Sequence, residues 1–488
     1  MTQFGTSRRI VLGGAVSGLL TRGLARDAAA QPALPLQPGR PVISVLARDL
    51  RNGWGVCGRP GLDAGIDAYA AMLEQIGTRD IRTSLVVNGS SALPRFEELR
   101  RRMRQARMAA PTPRVTALVS AYLNDPRTTW RGQQPALLAM AATGMLRGIE
   151  GPNEINNREV GDGSHGPDDL TDQTGLLAFP GNFRAWAQAL HQFRQANAAA
   201  LRGISLVAPS IASGLPWEYA RLPDVRAFVD AGNVHFYAGG GRQPSYSTGI
   251  NPMVGYFANV AGWARSAQVQ DGPFWLTESG ATTSGNYARD GVSQAKYIAN
   301  QFFDLFASGG SRLFFYQLID GDGAPGNIEG NFGLFRHNGT PKPAAIMLGN
   351  LKHLLSLDTY DNPRNTADLE AVTPAYDASA LAVSGMGDVG QAGPGYLVMH
   401  KSDGSTMIAV WNEPAIDDGK GNSLAPAPRT VTLDFGSVQT FSIHDLLGAT
   451  PLTGTTPRGT QFDTGRTTTV ALRGYPMLVE LRPSAGKG

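Results

Sequence analysis

Short apolar runs alternate with helical patterns from about residue 53 to residue 357, and this alternation restricts the possible fold more than any other feature of the chain. Repeated strand and helix units of this kind form a parallel sheet covered by helices. Eight strand candidates follow one another, at residues 53–57, 80–87, 114–122, 144–154, 205–211, 233–238, 273–279 and 312–320. Eight such units over about 300 residues match the size of a (β/α)8 barrel.

The segment after the first strand candidate shows the helical pattern. Apolar side chains recur there at spacings of three and four, at Ile66, Tyr69, Ala70, Leu73 and Ile76. This spacing places them on one face of a helix that packs against the sheet. We expect Asp63 to cap the start of this helix and Gly77 to end it.

The pattern changes after residue 357. Short β-prone runs separated by Gly, Pro, Asp and Asn continue to the C-terminus, which is typical of a β-sandwich. We therefore predict a barrel over residues 31–357 and a β-sandwich domain over residues 358–488. Residues 42–46 form a spare apolar run, either a lead-in strand or a plug at the lower end of the barrel.

Residues 1–30 have the pattern of an export signal. Ser7, Arg8 and Arg9 begin a twin-arginine motif, an apolar stretch follows to Leu20, and small residues end at Ala30. The sequence thus predicts a periplasmic or secreted protein with no stable membrane insertion after cleavage, because the apolar stretch is shorter than the roughly 20 residues of a membrane-spanning helix.

Without this segment the chain carries no net charge. Four of the 43 basic residues and one of the 40 acidic residues lie in the first 30 positions. No basic excess remains to bind nucleic acid, and a neutral substrate is expected.

No cofactor or metal is expected. Cys57 is the only cysteine, so the chain forms no intramolecular disulfide, and its seven histidines are scattered. Asp320 and Asp322 lack the further acidic ligands of a calcium-binding loop.

Two glutamates lie near the ends of the fourth and seventh strand candidates. Glu154 follows Gly151, Pro152 and Asn153, and Glu278 precedes Ser279. Carboxylates at the C-terminal ends of barrel strands serve catalysis more often than packing. Glycoside cleavage needs two of them across the scissile bond.

Neighbouring carboxylates have a simpler interpretation. Glu150 and Glu159 are close to Glu154 in the sequence, and we expect both to be solvated loop residues.

Asn153-Glu154 on strand four and Glu278 on strand seven resemble the clan A retaining glycoside hydrolases, and the resemblance extends over the whole predicted barrel. It includes Arg82 on strand two and His235-Phe236-Tyr237 on strand six. The resemblance implies that Glu154 is the general acid/base and Glu278 the nucleophile. It also implies that Asn153 binds the sugar 2-hydroxyl.

These roles set requirements on the site. Glu154 has to stay protonated near the working pH, which the negative charge of Glu278 about 5–5.5 Å away would favour. We expect Arg82 to keep Glu278 ionised, Tyr237 to donate to Glu278, and His235 to line the same floor. Both residues also have a purely structural interpretation. His235 would then be a core histidine with its hydrogen bonds satisfied, and Arg82 would form an ion pair that only stabilises the fold.

The sequence departs from the family at strand eight, where many members have a tryptophan. Here Tyr316 or Gln317 takes that place, so the sequence does not determine which sugar the central subsite binds. Further aromatic residues near strand ends or in the following loops are candidates for sugar stacking, although each also fits loop packing. They are Trp54, Trp130, Trp217, Tyr246, Tyr287 and Phe332.

The sequence therefore predicts a retaining β-glycosidase that cleaves an oligo- or polysaccharide by double displacement. One alternative is an endo-acting polysaccharide hydrolase or transglycosylase. The other is a barrel that binds carbohydrate without catalysis.

Overall fold

The protein is described by a computed structural model. The structure describes residues 44–87, 90–108, 111–119, 126–155, 179–211, 221–237, 257–270, 272–285, 289–321, 324–355, 376–385, 395–401, 404–414, 424–425, 429–448 and 463–482. The predicted export signal and the predicted domain boundary at residue 358 lie outside these residues and stay predictions.

In the described residues the strands are β1 (Ser44–Leu46), β2 (Trp54–Cys57), β3 (Asp80–Ser84), β4 (Val86–Val87), β5 (Ser90–Ser91), β6 (Arg114–Leu118), β7 (Leu146–Glu150), β8 (Ser205–Val207), β9 (Gly232–His235), β10 (Phe274–Ser279), β11 (Arg312–Phe315), β12 (Ala382–Ser384), β13 (Tyr396–His400), β14 (Thr406–Val410), β15 (Arg429–Asp445), β16 (Asp463–Leu472) and β17 (Met477–Arg482). The helices are α1 (Ala47–Arg51), α2 (Ile66–Ile76), α3 (Leu93–Gln105), α4 (Pro126–Ala142), α5 (Phe179–Ala196), α6 (Phe257–Gln268), α7 (Gly291–Ala307) and α8 (Pro343–Leu355).

Eight parallel strands form the predicted barrel. Their order in the sheet is β8-β7-β6-β3-β2-β11-β10-β9. The two end strands meet through a parallel bridge between Val207 and Ala231, where the Ala208 N–H donates to the Ala231 carbonyl at 3.0 Å. The (β/α)8 fold class is therefore confirmed, and all eight predicted strands are present, most of them shorter than predicted.

The helices follow the predicted apolar faces, with one local difference. In α2 the side chains of Tyr69, Leu73 and Ile76 are buried, and Gly77 ends the helix with a left-handed φ of 72°. Asp63 does not cap α2, because its carboxylate accepts from the Arg59 guanidinium at 2.9 Å instead. The prediction of an Asp63 cap was wrong.

Bulky aromatic side chains lie inside the barrel. Phe314 and Trp275 occupy the interior opposite glycines on β2 and β7. A β-carbon on Gly55 would lie 2.7 Å from Phe314, and one on Gly148 would lie 3.2 Å from Trp275. These two glycines leave room for the two aromatic rings inside the barrel.

The C-terminal β domain is one sheet in the order β1-β13-β14-β17-β15-β12, with β16 also paired to β15. The register between β15 and β16 shifts between Asp434 and Gln439. The first part of β15 pairs with β12 and the last part with β17. The sheet therefore curls around its own core. The long strand β15 belongs to both of the layers that pack against each other.

Alternation along the strands gives this sheet two apolar faces. Residues facing the domain's own core include Val398, Ile408, Val431, Leu433 and Val479. Residues that join the barrel core include Leu397, Met399, Met407, Ala409 and Leu478. Helix α7 lies between the two domains, and its Asn300 and Asp304 bond to Gly474 and Trp411 of the β domain at 3.0 and 3.2 Å.

The spare apolar run near the N-terminus belongs to the second sheet. Ser44–Leu46 is strand β1, and it pairs in parallel with β13, Ser44 opposite Val398. The run is thus a strand at the edge of the C-terminal sheet rather than a plug below the barrel. Among the described helices, none combines the length and apolar character needed to cross a membrane.

Candidate active site

Polar side chains converge at the C-terminal ends of β3, β7, β9 and β10. The strands place Arg82, Glu150, His235 and Glu278 at one end of the barrel, and all four side chains are buried. Parallel strands end on the same face, which brings residues distant in sequence together. Glu154 reaches this group from the turn after β7.

An unusual backbone conformation positions Glu154. Its φ is +45°, a left-handed value that costs free energy for any residue with a side chain. The Glu154 N–H donates to the Ser210 hydroxyl at 2.9 Å, and Gly151 lets the turn approach Pro209, since a β-carbon there would lie 2.6 Å from that ring. These contacts from the loop after β8 hold the turn in place.

Glu278 is 1% exposed, and both of its carboxylate oxygens accept hydrogen bonds from protein side chains. Arg82 Nη1 donates to Oε2 at 2.8 Å, and the Tyr237 hydroxyl donates to Oε1 at 2.6 Å. Hydrogen bonds of this kind favour the ionised carboxylate.

Glu150 has a role that sequence reasoning missed. It is fully buried and binds Arg82 through both carboxylate oxygens, at 2.7 and 2.8 Å. The Thr277 hydroxyl and the Asn233 amide also donate to Glu150, at 2.9 and 3.1 Å. The expectation of a solvated loop carboxylate was wrong for Glu150, and Glu159 lies outside the described residues.

A signal for this role was present in the sequence. Glu150 lies two residues after Gly148 within the predicted fourth strand, so both face the same side of the sheet. Gly148 faces the barrel interior, where a carboxylate needs a cationic partner.

The ion pair with Arg82 controls the charge of Glu150. Burial alone would raise the pKa of Glu150, but the Arg82 charge and hydrogen bonds outweigh it and lower the pKa to about 2. Burial likewise acts to lower the pKa of Arg82, and the Glu150 carboxylate raises it well above its ordinary value. Both side chains are therefore charged at any working pH.

We expect this pair to make stability depend on acid. The folded-state pKa of Glu150 is lower than its ordinary value of 4.5, so its ionisation stabilises the fold above pH 4.5, and this contribution is lost as the pH falls toward 2. Over that interval the free energy of unfolding should fall by a few kcal/mol more in the wild type than in Glu150→Gln, at roughly 1.4 kcal/mol per unit of pKa. Urea unfolding followed by circular dichroism across this range measures the difference. Parallel pH curves for the two proteins would contradict it.

His235 joins the two predicted catalytic glutamates. Its Nδ1 lies 2.9 Å from Glu154 Oε1 and 3.7 Å from Glu278 Oε2. Burial alone would lower the pKa of His235, but the nearby carboxylates of Glu278, Glu150 and Glu154 raise it above its ordinary value. His235 is thus a buried histidine that contacts Glu154 directly.

Asn153 has a donor left for a ligand. Its Oδ1 accepts from Arg82 Nη2 at 2.8 Å, which fixes the orientation of the amide. Its Nδ2 is buried and has no hydrogen-bond partner within the described part of the chain. A buried donor without a partner is costly unless a ligand supplies the acceptor.

Aromatic rings extend from Glu278 along one side of the site. Phe332 lies 5.8 Å from Tyr237 and 5.4 Å from Tyr316, measured between ring centroids. The Tyr316 hydroxyl donates to Glu329 at 3.1 Å, while the Gln317 amide donates to the Glu329 carbonyl at 3.3 Å. Tyr316 therefore belongs to this aromatic row, and Gln317 is directed into the loop after β11.

Two aromatic residues considered for sugar stacking lie in the core instead. Trp54 is 1% exposed and donates to the Ile76 carbonyl, and Trp130 packs edge-on against Trp186. The stacking interpretation was wrong for Trp54 and Trp130, because Trp54 lies on strand β2 and bonds to the end of α2, and Trp130 lies on helix α4 and packs against α5. Trp217, Tyr246 and Tyr287 lie outside the described residues.

The site also contains atoms that a metal could use. One atom each from Glu154, His235 and Glu278 lie within 4.8 Å of one another. Arg82 and Tyr237 already donate to Glu278, and His235 Nδ1 is bonded to Glu154. A cation bound here would compete with these hydrogen bonds and with the positive charge of Arg82.

Comparisons with known proteins identify similar folds. No protein-family model matches the chain, and no curated protein sequence matches it. A family 39 glycoside hydrolase from Bacteroides cellulosilyticus WH2 has a similar structure, with a TM-score of 0.55 at 15% identity over 89% of this chain and 82% of the other. A glucosidase from Croceicoccus marinus has a TM-score of 0.51 at 12% identity over 91% of this chain and 99% of the other. At this identity the similarity establishes a shared fold that includes the second domain.

Proposed function

We propose that the protein is a retaining β-glycosidase that cleaves an oligo- or polysaccharide, with Glu278 as nucleophile and Glu154 as general acid/base. The observation that carries the proposal is the approach of the two carboxylates, which each have an oxygen within 4.8 Å of the other and of His235. Retaining glycosidases have carboxyl groups about 5–5.5 Å apart, whereas inverting enzymes need about 6.5–9.5 Å for a water molecule. The glycosidases of similar fold support the same reaction class.

Glu278 is equipped to act as the nucleophile. Arg82 and Tyr237 donate to its two oxygens and hold them in one orientation. In the first step one oxygen attacks the anomeric carbon, and the leaving oxygen takes a proton from Glu154. In the second step Glu154 accepts a proton from water, and the water oxygen displaces Glu278 from the sugar.

His235 supplies a second location for the catalytic proton. The 2.9 Å contact between its Nδ1 and Glu154 Oε1 lets one proton reside on either group. We propose that this pair shares the proton and keeps it close to the leaving oxygen. Asn153 Nδ2 would bind a hydroxyl of the sugar attached to Glu278.

Replacing Glu154 with glutamine tests the acid role. We expect kcat/KM for an alkyl glycoside to fall about 10²–10⁴-fold, because its leaving group needs a proton. The first step with a dinitrophenyl glycoside should be nearly unaffected, since that leaving group departs without protonation. Steady-state rates for both substrates measure the ratio.

The exposed Glu97 on α3 provides the matched control, since Glu97→Gln makes the same chemical change away from the site. Equal losses on the two substrates in Glu154→Gln would argue against the acid role. Product sizes from a polysaccharide digest would separate exo from endo action. Absence of turnover over a broad glycoside panel would favour a binding protein.

A further inference from the structure

Thr277 contributes a buried hydroxyl to the polar network of the proposed catalytic site. It lies on β10 directly before Glu278, and its side chain is 0% exposed. Neighbouring residues of a regular strand point to opposite faces of the sheet. Here both side chains reach the network, since the Thr277 hydroxyl lies 2.9 Å from Glu150 Oε1 and Glu278 accepts from Arg82 at 2.8 Å.

An irregularity in β10 accounts for this shared orientation. Between the pairs Leu276–Val234 and Glu278–His235, strand β10 has one residue more than strand β9. That extra residue is Thr277, and the register against β11 shifts over the same stretch. A bulge of this kind re-aims a side chain and is frequent beside active sites. It places the Thr277 hydroxyl 3.2 Å from His235 Nε2.

The Thr277 hydroxyl has one hydrogen to donate and several polar neighbours. Glu150 Oε1 lies at 2.9 Å and Asn233 Oδ1 at 2.8 Å, and both atoms are acceptors. The Asn233 amide nitrogen is turned the other way, toward Glu150 and the Ala208 carbonyl, at 3.1 Å from each. A hydroxyl donates once and accepts through its lone pairs. Its hydrogen therefore goes to Glu150 or Asn233, and its oxygen is left as an acceptor for His235.

Arg82 is the other group close to His235 Nε2, and its hydrogens are directed elsewhere. Its Nη2 has two hydrogens, and oxygens of Glu150 and Asn153 both lie 2.8 Å away. His235 Nε2 is farther, at 3.2 Å. The two shorter contacts take both hydrogens, so Nε2 receives no hydrogen bond and has an acceptor in Thr277. This count places a hydrogen on Nε2.

A hydrogen on Nε2 leaves His235 Nδ1 to exchange the catalytic proton. In the neutral ring, bare Nδ1 accepts from the protonated carboxyl of Glu154, with 2.9 Å between Nδ1 and Oε1. When the proton moves to the ring, Nε2 still donates to Thr277. The opposite tautomer would place its hydrogen on Nδ1, where only an ionised Glu154 can accept it. An ionised Glu154 cannot protonate a leaving group.

We propose that Thr277 is a positioning residue that holds the His235 hydrogen on Nε2 and reserves Nδ1 for the catalytic proton of Glu154. The inference rests on the proposed function for the acid role of Glu154. Three further charged groups face the ring, with Arg82 Nη2 3.2 Å and Glu150 Oε1 3.8 Å from Nε2, and Glu278 Oε2 3.7 Å from Nδ1. A carboxylate thus lies on each side of the ring, and Thr277 is the direct acceptor on the Nε2 side.

Nuclear magnetic resonance of protein labelled with ¹⁵N-histidine tests the tautomer, because a ring nitrogen with a hydrogen and a bare one differ in chemical shift. We expect His235 Nε2 to carry a hydrogen in the wild type and in Thr277→Ser, which retains the hydroxyl. In Thr277→Val, which has nearly the same shape without a hydroxyl, a measurable fraction of molecules should lose this hydrogen. The spectrum of His235→Gln identifies the resonances.

A bare Nε2 in the wild type would overturn the proposal, whether or not Thr277→Val folds. An unchanged Nε2 resonance in folded Thr277→Val would overturn it as well.

Kinetics give a second test, through the ratio of kcat/KM for an alkyl glycoside to that for a dinitrophenyl glycoside. This ratio should fall about tenfold in Thr277→Val, the effect of one hydrogen bond, and stay within about twofold of the wild type in Thr277→Ser. Asn233→Leu is the matched control, since it removes a donor at 3.1 Å from the same Glu150 oxygen and keeps the Thr277 hydroxyl.

An equal fall of the ratio in Asn233→Leu would show that the loss arises through Glu150 and would overturn the proposal. An unchanged ratio in Thr277→Val, with both glycosides hydrolysed, refutes this inference alone. If the wild type hydrolyses neither glycoside but its Nε2 hydrogen depends on Thr277, the proposed function is refuted and the tautomer assignment stands.

Discussion

Replacing Glu278 with alanine should reduce hydrolysis on the order of 10⁵-fold, the loss typical of removing a nucleophile. The described site has no substitute for this carboxylate, because Glu150 is bound on both oxygens by Arg82 and Glu154 approaches from the other loop. The fold should remain, since Arg82 keeps its pair with Glu150. Steady-state rates and thermal unfolding measure the two effects.

Azide makes this experiment specific. In Glu278→Ala, azide fits the space left by the carboxylate and should attack an activated β-glycoside to give the α-glycosyl azide. In Glu154→Ala, azide should instead attack the glycosyl-Glu278 intermediate from the opposite face and give the β-glycosyl azide. Nuclear magnetic resonance of the products distinguishes the anomers, and the same anomer from both variants would contradict the assigned roles.

Replacing Arg82 with methionine should destabilise the protein by about 3–5 kcal/mol, because Glu150 would be left as a buried charge without its cation. Activity should fall as well, since Glu278 loses the donor at 2.8 Å. The change of volume is small, which limits the effect of packing. Urea unfolding gives the free energy, and aryl glycoside hydrolysis gives the activity.

The double variant Arg82→Met/Glu150→Met separates these two effects. Removing both charges should recover much of the lost stability, whereas activity should stay low because Glu278 still lacks Arg82. Arg226→Met is the control, since the Arg226–Asp224 pair is exposed and such pairs contribute about 0–1 kcal/mol. A loss in Arg82→Met no larger than in Arg226→Met would refute a stabilising role for the buried pair.

The parts of this site that the sequence predicted depend on strand position. Counting strands placed Glu154 and Glu278 at the same end of the barrel, and the structure brings them together with Arg82, His235 and Tyr237. The regular alternation of strands and helices is enough to predict this location, because parallel strands of a barrel end on the same face.

Partners distant in the sequence were not predictable in the same way. The pairing of Glu150 with Arg82 spans 68 residues, so the alternation along the fourth strand can indicate the face on which Glu150 lies but cannot identify its partner. The same holds for the burial of Trp54 and Trp130. It depends on contacts with residues distant in the sequence, Ile76 for Trp54 and Phe193 for Trp130, which no local pattern specifies. Asp63 had a suitable position for a cap, but its carboxylate accepts from the Arg59 guanidinium instead.

Strand β1 makes the chain less modular than its two cores suggest. The first described segment completes the edge of the C-terminal sheet against β13, while α1 and β2 directly after it belong to the barrel. A single cut between the domains would leave β1 attached to the barrel and would expose the β13 edge, a place where foreign strands can add. The β domain is therefore not complete without β1. We expect that a transfer of this domain to another protein has to include residues 44–46 as well.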